Sequence, residues 1–277
     1  MTDHILKVED LTVSFPSDNG PVRVVKSVAF EVAREIVALV GESGSGKSMT
    51  GRAIMGLLPR HAALGAKTLT FDGHDLQALR PSNWNRLRGS GMSLILQDPK
   101  FSLNPAHRVG RQVEEALLLH TRLSAAERRE RALDMLRRVG LSDPARTYAS
   151  YPAALSGGMG QRVMIAAMLI NRPKLIIADE PTSALDHALQ DQILDLLQSL
   201  VSEFGTSLLL ISHDLEQVSR YADRVLVMRN GEIVDRLAAS ELADASSSYT
   251  RALWAARPSG ATYGTRLPTF ETNEVAS

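Results

Sequence analysis

The chain has 277 residues, no cysteine, and 31 basic side chains against 31 acidic ones. Without cysteine it can form no disulfide, no thiolate zinc site and no cysteine-anchored iron–sulfur cluster, and the even charge lacks the basic excess of a dedicated nucleic-acid binder. Met1-Thr2-Asp3-His4 has neither the basic nor the apolar region of a signal peptide, and no apolar run approaches the ~18 residues that span a bilayer, so a membrane role is expected to run through a partner.

Residues 5–15 partly alternate apolar and polar side chains and predict a strand. Pro16 to Pro21 is a turn cluster, and Val22 to Val32 predicts a second strand, so an antiparallel layer is expected near the N-terminus. Ile36 to Val40 is an apolar, partly β-branched run. It leads into Gly41-Glu42-Ser43-Gly44-Ser45-Gly46-Lys47-Ser48, and a helix is expected from Met49 to about Leu58. Strand, glycine loop and helix with the spacing G-x-x-x-x-G-K-S make a phosphate cradle. Glycines let the backbone curl so that successive N–H groups face phosphate oxygens, and the helix N-terminus adds its positive dipole end. Lys47 is expected to reach the β- and γ-phosphates and the Ser48 hydroxyl to sit on Mg²⁺.

Thr68 to Phe71, with Asp72-Gly73, predicts a strand and turn. Residues 108–139 have helical composition, and Ser124 with Glu127 has the spacing of a capping box. Leu175 to Ala178, Ser207 to Ile211 and Arg224 to Met228 predict short buried strands with helices between them, hence a parallel α/β core. From Ser246 onward, Ser-Ser-Ser, Pro258, Gly260, Gly264 and Pro268 predict a loosely ordered tail.

Two further constellations carry chemistry. The apolar run Leu175 to Ala178 ends in Asp179-Glu180-Pro181. A carboxylate there can hold Mg²⁺ through water, a role expected of Asp179, and Glu180 can orient or deprotonate an attacking water. Leu155-Ser156-Gly157-Gly158-Met159-Gly160-Gln161-Arg162 is a second loop rich in N–H groups, expected to open a helix from Gln161 to about Asn171.

With two anion-cradling loops in this order, the chain resembles the ATP-binding subunit of an ABC transporter. The resemblance covers nearly the whole chain. It implies an α/β fold: a RecA-like parallel-sheet P-loop core with an antiparallel β subdomain and an α-helical subdomain at about 102–165. These would fill residues 1–245, with a partly flexible C-terminal extension at 246–277. ATP and Mg²⁺ are the implied cofactors. Gln97, after the apolar run Met92 to Leu96, matches the glutamine that touches Mg²⁺ and senses the membrane subunit. Ser183-Ala184-Leu185-Asp186 matches the D-loop that crosses the dimer interface, and His213 within Ile-Ser-His-Asp matches the switch histidine at the γ-phosphate. Phe15 falls where the family stacks an aromatic on adenine, although a core role serves it equally well. Gly41 through Met49 would hold the nucleotide from one chain, and Ser156, Gly157, Gly158, Gln161 and Asp186 from the other, in a head-to-tail dimer.

Gln97-Asp98-Pro99-Lys100-Phe101-Ser102-Leu103-Asn104-Pro105 and Ser156 to Ala166 are similar to motifs of dipeptide, oligopeptide and nickel importers, as is Tyr249-Thr250-Arg251-Ala252-Leu253. The implied partners are a second ATPase subunit, copy or paralogue, two transmembrane permease subunits and an extracytoplasmic binding protein, with no nucleic acid. The implied location is peripheral, on the cytoplasmic side of the bacterial inner membrane. The cargo would be peptides, with nickel as the alternative. A soluble ABC ATPase usually carries a long coiled-coil insertion or two cassettes, whereas Gln97 and Ser156 here lie only 59 positions apart. A phosphoryl-transfer kinase has no use for the second loop or His213. Three departures stand out: Ser247-Ser248 in place of His-Pro, no cysteine in the extension, and Gly160 where a basic residue is usual.

Overall fold

The computed structural model describes residues 4–98 and 102–257. The strands and helices, in chain order, are β1 (Leu6–Phe15), β2 (Val22–Val32), β3 (Ile36–Val40), α1 (Lys47–Ile54), β4 (Ala63–Gly65), β5 (Thr68–Phe71), β6 (His74–Asp75), α2 (Pro81–Leu87) and β7 (Met92–Ile95). They continue with α3 (Val109–His120), α4 (Ala125–Arg138), α5 (Pro144–Ala149), α6 (Gly157–Leu169), β8 (Leu175–Asp179), α7 (His187–Phe204), β9 (Ser207–Ser212), α8 (Leu215–Tyr221), β10 (Arg224–Arg229), β11 (Glu232–Ala238) and α9 (Ser248–Ala255).

Two sheets organise the chain. The first is antiparallel, in the order β2-β1-β5-β6 with β4 also on β1. The second runs β11-β10-β3-β9-β8-β7, with every neighbour parallel except the β11 edge. Strands buried on both faces should be apolar throughout, and β8 and β9 are buried at every position. Alternation then sorts their side chains to opposite faces. Val37, Leu39, Leu175, Ile177, Leu209, Ile211, Leu226 and Met228 pack with α1 and the antiparallel sheet. Ala38, Val40, Ile176, Ala178, Leu208, Leu210, Val225 and Val227 pack with the helices on the other face. The site-bearing sheet is thus clamped between two cores.

Several boundaries differ from expectation for local reasons. The helical composition of 108–139 divides into two helices, and the second opens at the expected capping box: Glu127 N–H donates to Ser124 Oγ at 3.3 Å and Ser124 N–H to Glu127 Oε2 at 2.7 Å. The helix after the phosphate loop begins at Lys47, two residues early, and stops at Ile54, where Gly56 turns to a φ of 61°. Helix α6 begins at Gly157 rather than Gln161, because Ser156 Oγ caps it by accepting from Met159 N–H at 3.3 Å. The tail is helical from Ser248 to Ala255, capped by Ser247, and Thr250 Oγ1 ties it to Asp235 at 2.7 Å. A loosely ordered tail from Ser246 is therefore wrong for this stretch. Pro99-Lys100-Phe101 and everything from Pro258 onward lie outside the described residues.

Candidate functional site

The carboxyl ends of β3, β9 and β8 lie side by side, with Val40 paired to Ser212 and Asp179 to Ile211. Ligands of open parallel α/β sheets bind at this edge. The phosphate loop leaves β3 there. Gly41 has a φ of 149°, and a Cβ on it would stand 2.1 Å from the Met228 carbonyl oxygen. Gly46 caps α1 at a φ of 104°, and its Cβ would stand 2.6 Å from the Val24 carbonyl oxygen. Neither position accepts a side chain. Gly231 N–H donates to the Ser45 carbonyl at 3.0 Å and braces the loop from the β10–β11 turn.

Lys47 is buried, at 5% exposure, and its ammonium donates to the carbonyls of Gly41 and Glu42, both at 2.8 Å. Burial pushes its pKa down, against the opposing pull of Glu180, Asp179 and Glu42. The Ser45 hydroxyl is buried with no hydrogen-bond partner among the described residues. Ser48 Oγ donates to Asp179 Oδ1 at 2.8 Å. Burial pushes the Asp179 carboxyl up, partly offset by that hydrogen bond and by Arg52.

Glu180 follows at a φ of 48°, an unfavourable conformation for a side-chain-bearing residue, worth about 1–3 kcal/mol. Its N–H donates to the Ile211 carbonyl at 2.9 Å, which holds the turn against β9. Its Oε1 lies 3.2 Å from His213 Nδ1. His213 itself is 61% exposed and open to a ligand. Gln97 is exposed two residues past β7, and the pairing of Ile95 with Ala178 sets it at the same sheet edge as Asp179. Phe15, partly buried at the end of β1, has its ring centroid 5.4 Å from that of His61.

Ser156 and Gly157 are exposed, and the N–H groups of the first turn of α6 face outward from the capped end. Asp186 caps α7 by accepting from Leu189 N–H at 3.0 Å. Gln161 departs from the expectation of nucleotide contact. It is 0% exposed, and its side-chain amide donates to the Pro181 carbonyl. That amide ties helix α6 to the loop after β8 from inside the chain, and its Oε1 is buried with no hydrogen-bond partner among the described residues.

The sequence reading missed Tyr249. It is buried beneath the Arg229 guanidinium, 4.6 Å from the ring centre, and its phenol, pushed up to about 12 chiefly by burial and next by the charge of Glu42, faces the phosphate loop. The motif containing it was visible, but nothing in the linear spacing of residues 42 and 249 joined them.

Residues 25–183 match the ABC transporter family. The peptidoglycan transport ATP-binding protein YejF of Agrobacterium fabrum is 46% identical over 262 residues, covering 94% of this chain and 48% of that protein, so the chain spans about half its length. The dipeptide transport ATP-binding protein DppD of Escherichia coli is 43% identical over 256 residues, 92% of this chain and 78% of that protein. Among solved structures, the dimeric post-hydrolysis state of the ATP-binding cassette MJ0796 bound to ADP and Pi gives a TM-score of 0.74 at 28% identity, covering 84% of this chain and 98% of that one. CbiO1 from Clostridium perfringens, part of the ABC transporter complex cbiONQ, gives 0.73 at 28% identity over 86% of this chain and 90% of that one. With the phosphate loop, the acidic strand end and the exposed histidine gathered at one sheet edge, the chain belongs to the ABC transporter family and is one of its ATP-binding cassette ATPases.

Proposed function

We propose that this cassette hydrolyses ATP to drive uptake of peptides through a membrane complex. The observation that carries the chemistry is the convergence of Lys47, Ser48, Asp179, Glu180 and His213 at the carboxyl ends of β3, β8 and β9. Names of relatives such as the dipeptide transporter subunit of Escherichia coli support the cargo class.

The residues fit both ATP and Mg²⁺. The unpartnered Ser45 hydroxyl and the curled loop suit a phosphate, and the Ser48–Asp179 pair offers a hydroxyl and a carboxylate. Among the described residues no group of three or more His, Asp and Glu could hold a metal alone, which suits an ion shared with phosphates. Ser48, Asp179 and Gln97 would hold Mg²⁺, which when bound offsets phosphate charge. Lys47 would exchange its loop carbonyls for phosphate oxygens. Glu180 would take the proton of the attacking water, with its carboxylate steadied by His213 Nδ1. Ser156 to Gly158 would close on the nucleotide of a second ATPase subunit, and Phe15 would meet the adenine.

Among the described residues no helix is long and apolar enough to cross a membrane. The chain would sit on the cytoplasmic side of the inner membrane, held there by two transmembrane permease subunits that an extracytoplasmic binding protein feeds. Uptake of radiolabelled dipeptides and oligopeptides in a strain lacking this chain tests the reading. Restoration by the unmodified chain but not by Glu180→Gln is expected. Intact peptide uptake with lost nickel uptake would transfer the reading to nickel.

A further inference from the structure

Three glutamines from three helices hydrogen-bond to the loop that follows Glu180 or to one another, and Thr182 of that loop joins them. Gln190, on α7, donates from Nε2 to the carbonyls of Thr182 at 3.3 Å and Leu185 at 3.1 Å. Gln217, on α8, donates to Gln190 Oε1 at 2.8 Å and accepts from Thr182 Oγ1 at 3.4 Å. From the opposite side, Gln161 on α6 donates to the Pro181 carbonyl. Gln161, Thr182 and Gln217 are all buried. Buried amides of this kind are costly unless paired, so their hydrogen bonds fix geometry as well as contribute stability.

The elements joined matter. Gln217 stands four residues after His213, and its own N–H is held by Asp214 Oδ1 at 3.0 Å. Helices α7 and α8 are further tied by Tyr221 to Asp195 at 2.8 Å and by Arg220 to Asp191 at 3.1 Å. The loop that the amides grip begins at Glu180, whose carbonyl accepts from Ser183 Oγ at 3.1 Å, and ends at the cap residue Asp186. Gln161 lies in the second turn of the helix that Ser156 caps. A cleft of about 450 Å³ bounded by Glu180, Ser183, Gln190, His213 and Gln217 brings the network to the catalytic edge.

We propose that Gln190, Gln217 and Thr182, with Gln161, are positioning residues for ATP hydrolysis. They set the 181–185 loop so that Glu180 meets His213, and they link that carboxylate mechanically to the Ser156 loop of the same chain. The inference rests on the assignment of Glu180 and His213 to hydrolysis made above. Among the described residues none of these hydrogen bonds reaches the 41–48 loop, so the chemical step is affected and nucleotide capture is not.

Methionine keeps the length and unbranched shape of glutamine while removing its hydrogen bonds. With the full-length chain, Gln190→Met and Gln217→Met should each lower kcat roughly three- to thirty-fold, inside the roughly two- to 160-fold span of couplings within one hydrogen-bond network, with KM for ATP within about two-fold of the parent. The double variant should be no slower than the slower single. Thr182→Val, a milder change, should act in the same direction if a glutamine variant fails to fold. Unchanged kcat overturns the proposal, as do losses that multiply in the double variant or a KM that rises in step with falling melting temperature. Glu180→Gln in the same assay separates the two readings. If it hydrolyses ATP normally, the catalytic assignment fails; if it is inactive while the glutamine variants are unaffected, only the network fails.

Discussion

Ser48 Oγ donates to Asp179 Oδ1 at 2.8 Å, a contact between residues 131 positions apart in the chain. It joins the first turn of α1 to the end of β8 and brings a hydroxyl and a carboxylate together beside the buried ammonium of Lys47. Asp179→Asn keeps the shape and removes the charge. The expected result is a rise of about ten- to a hundred-fold in the Mg²⁺ concentration needed for half-maximal hydrolysis, the range typical of disturbing a metal site. A Mg²⁺ titration at fixed ATP measures it, and an unshifted midpoint would place the ion elsewhere.

Glu180 lies 3.2 Å from His213 Nδ1, yet the phosphate loop is anchored by other groups. Glu180→Gln should therefore leave ATP affinity intact and slow hydrolysis roughly 10²–10⁴-fold, the usual effect of losing a positioned general base. Calorimetry and steady-state hydrolysis on the same preparation check both halves. Turnover within a few-fold of the parent would remove Glu180 from that role.

Much of the site was legible because its chemistry is concentrated in short runs. The apolar strand at 36–40, the glycine loop and the acidic strand end each carry their own local signal, and β2, β3 and β5 begin and end where the pattern places them. The misses come from information that is not local. β4 and β6, at three and two residues, are too short to show alternation. β11 alternates cleanly but is an antiparallel edge after parallel strands. Gln161 looked like part of a loop motif, because only the three-dimensional fold reveals that it points inward to Pro181. Gln190 and Gln217 read as ordinary polar helix positions until α7 and α8 are packed together.

Glu9 supplies a test of the antiparallel sheet. Its carboxylate accepts from Thr68 Oγ1 at 2.7 Å and pairs with Lys7 at 2.9 Å, which lowers its pKa from the ordinary 4.5 to about 2. A depressed native pKa means that the native state favours the ionised form more than the unfolded chain does. The contribution is thus present above about pH 4.5 and is lost as pH falls toward 2. Glu9→Gln should lower the melting temperature at pH 7 and lose that effect as pH approaches 2. A pH-independent difference would assign the effect to packing.

The dimer reading rests on Ser156, exposed at the capped start of α6. An arginine there would keep the phosphate loop, Lys47 and Asp179 intact while setting a bulky cation where small residues let backbone N–H groups approach an anion. Ser156→Arg should abolish hydrolysis and leave ATP binding by the isolated chain unchanged. Lys47→Ala should do the reverse, weakening affinity about ten- to a hundred-fold through loss of a charge-assisted phosphate contact. Mixing the two variants is the decisive step. A mixed dimer joins the intact phosphate loop of one chain to the intact Ser156 loop of the other, so one site in two is rebuilt and activity partly returns. Where the chain pairs only with a paralogue, the same pair of substitutions must be placed on the two different subunits of the assembled complex, one per subunit. Split in this way they fall in the same composite site and should spare the other; both carried on one subunit, they fall in different sites and should silence both. Loss of ATP binding by the Ser156→Arg chain alone would mean that the two loops serve one nucleotide in cis, and the head-to-tail arrangement would be wrong.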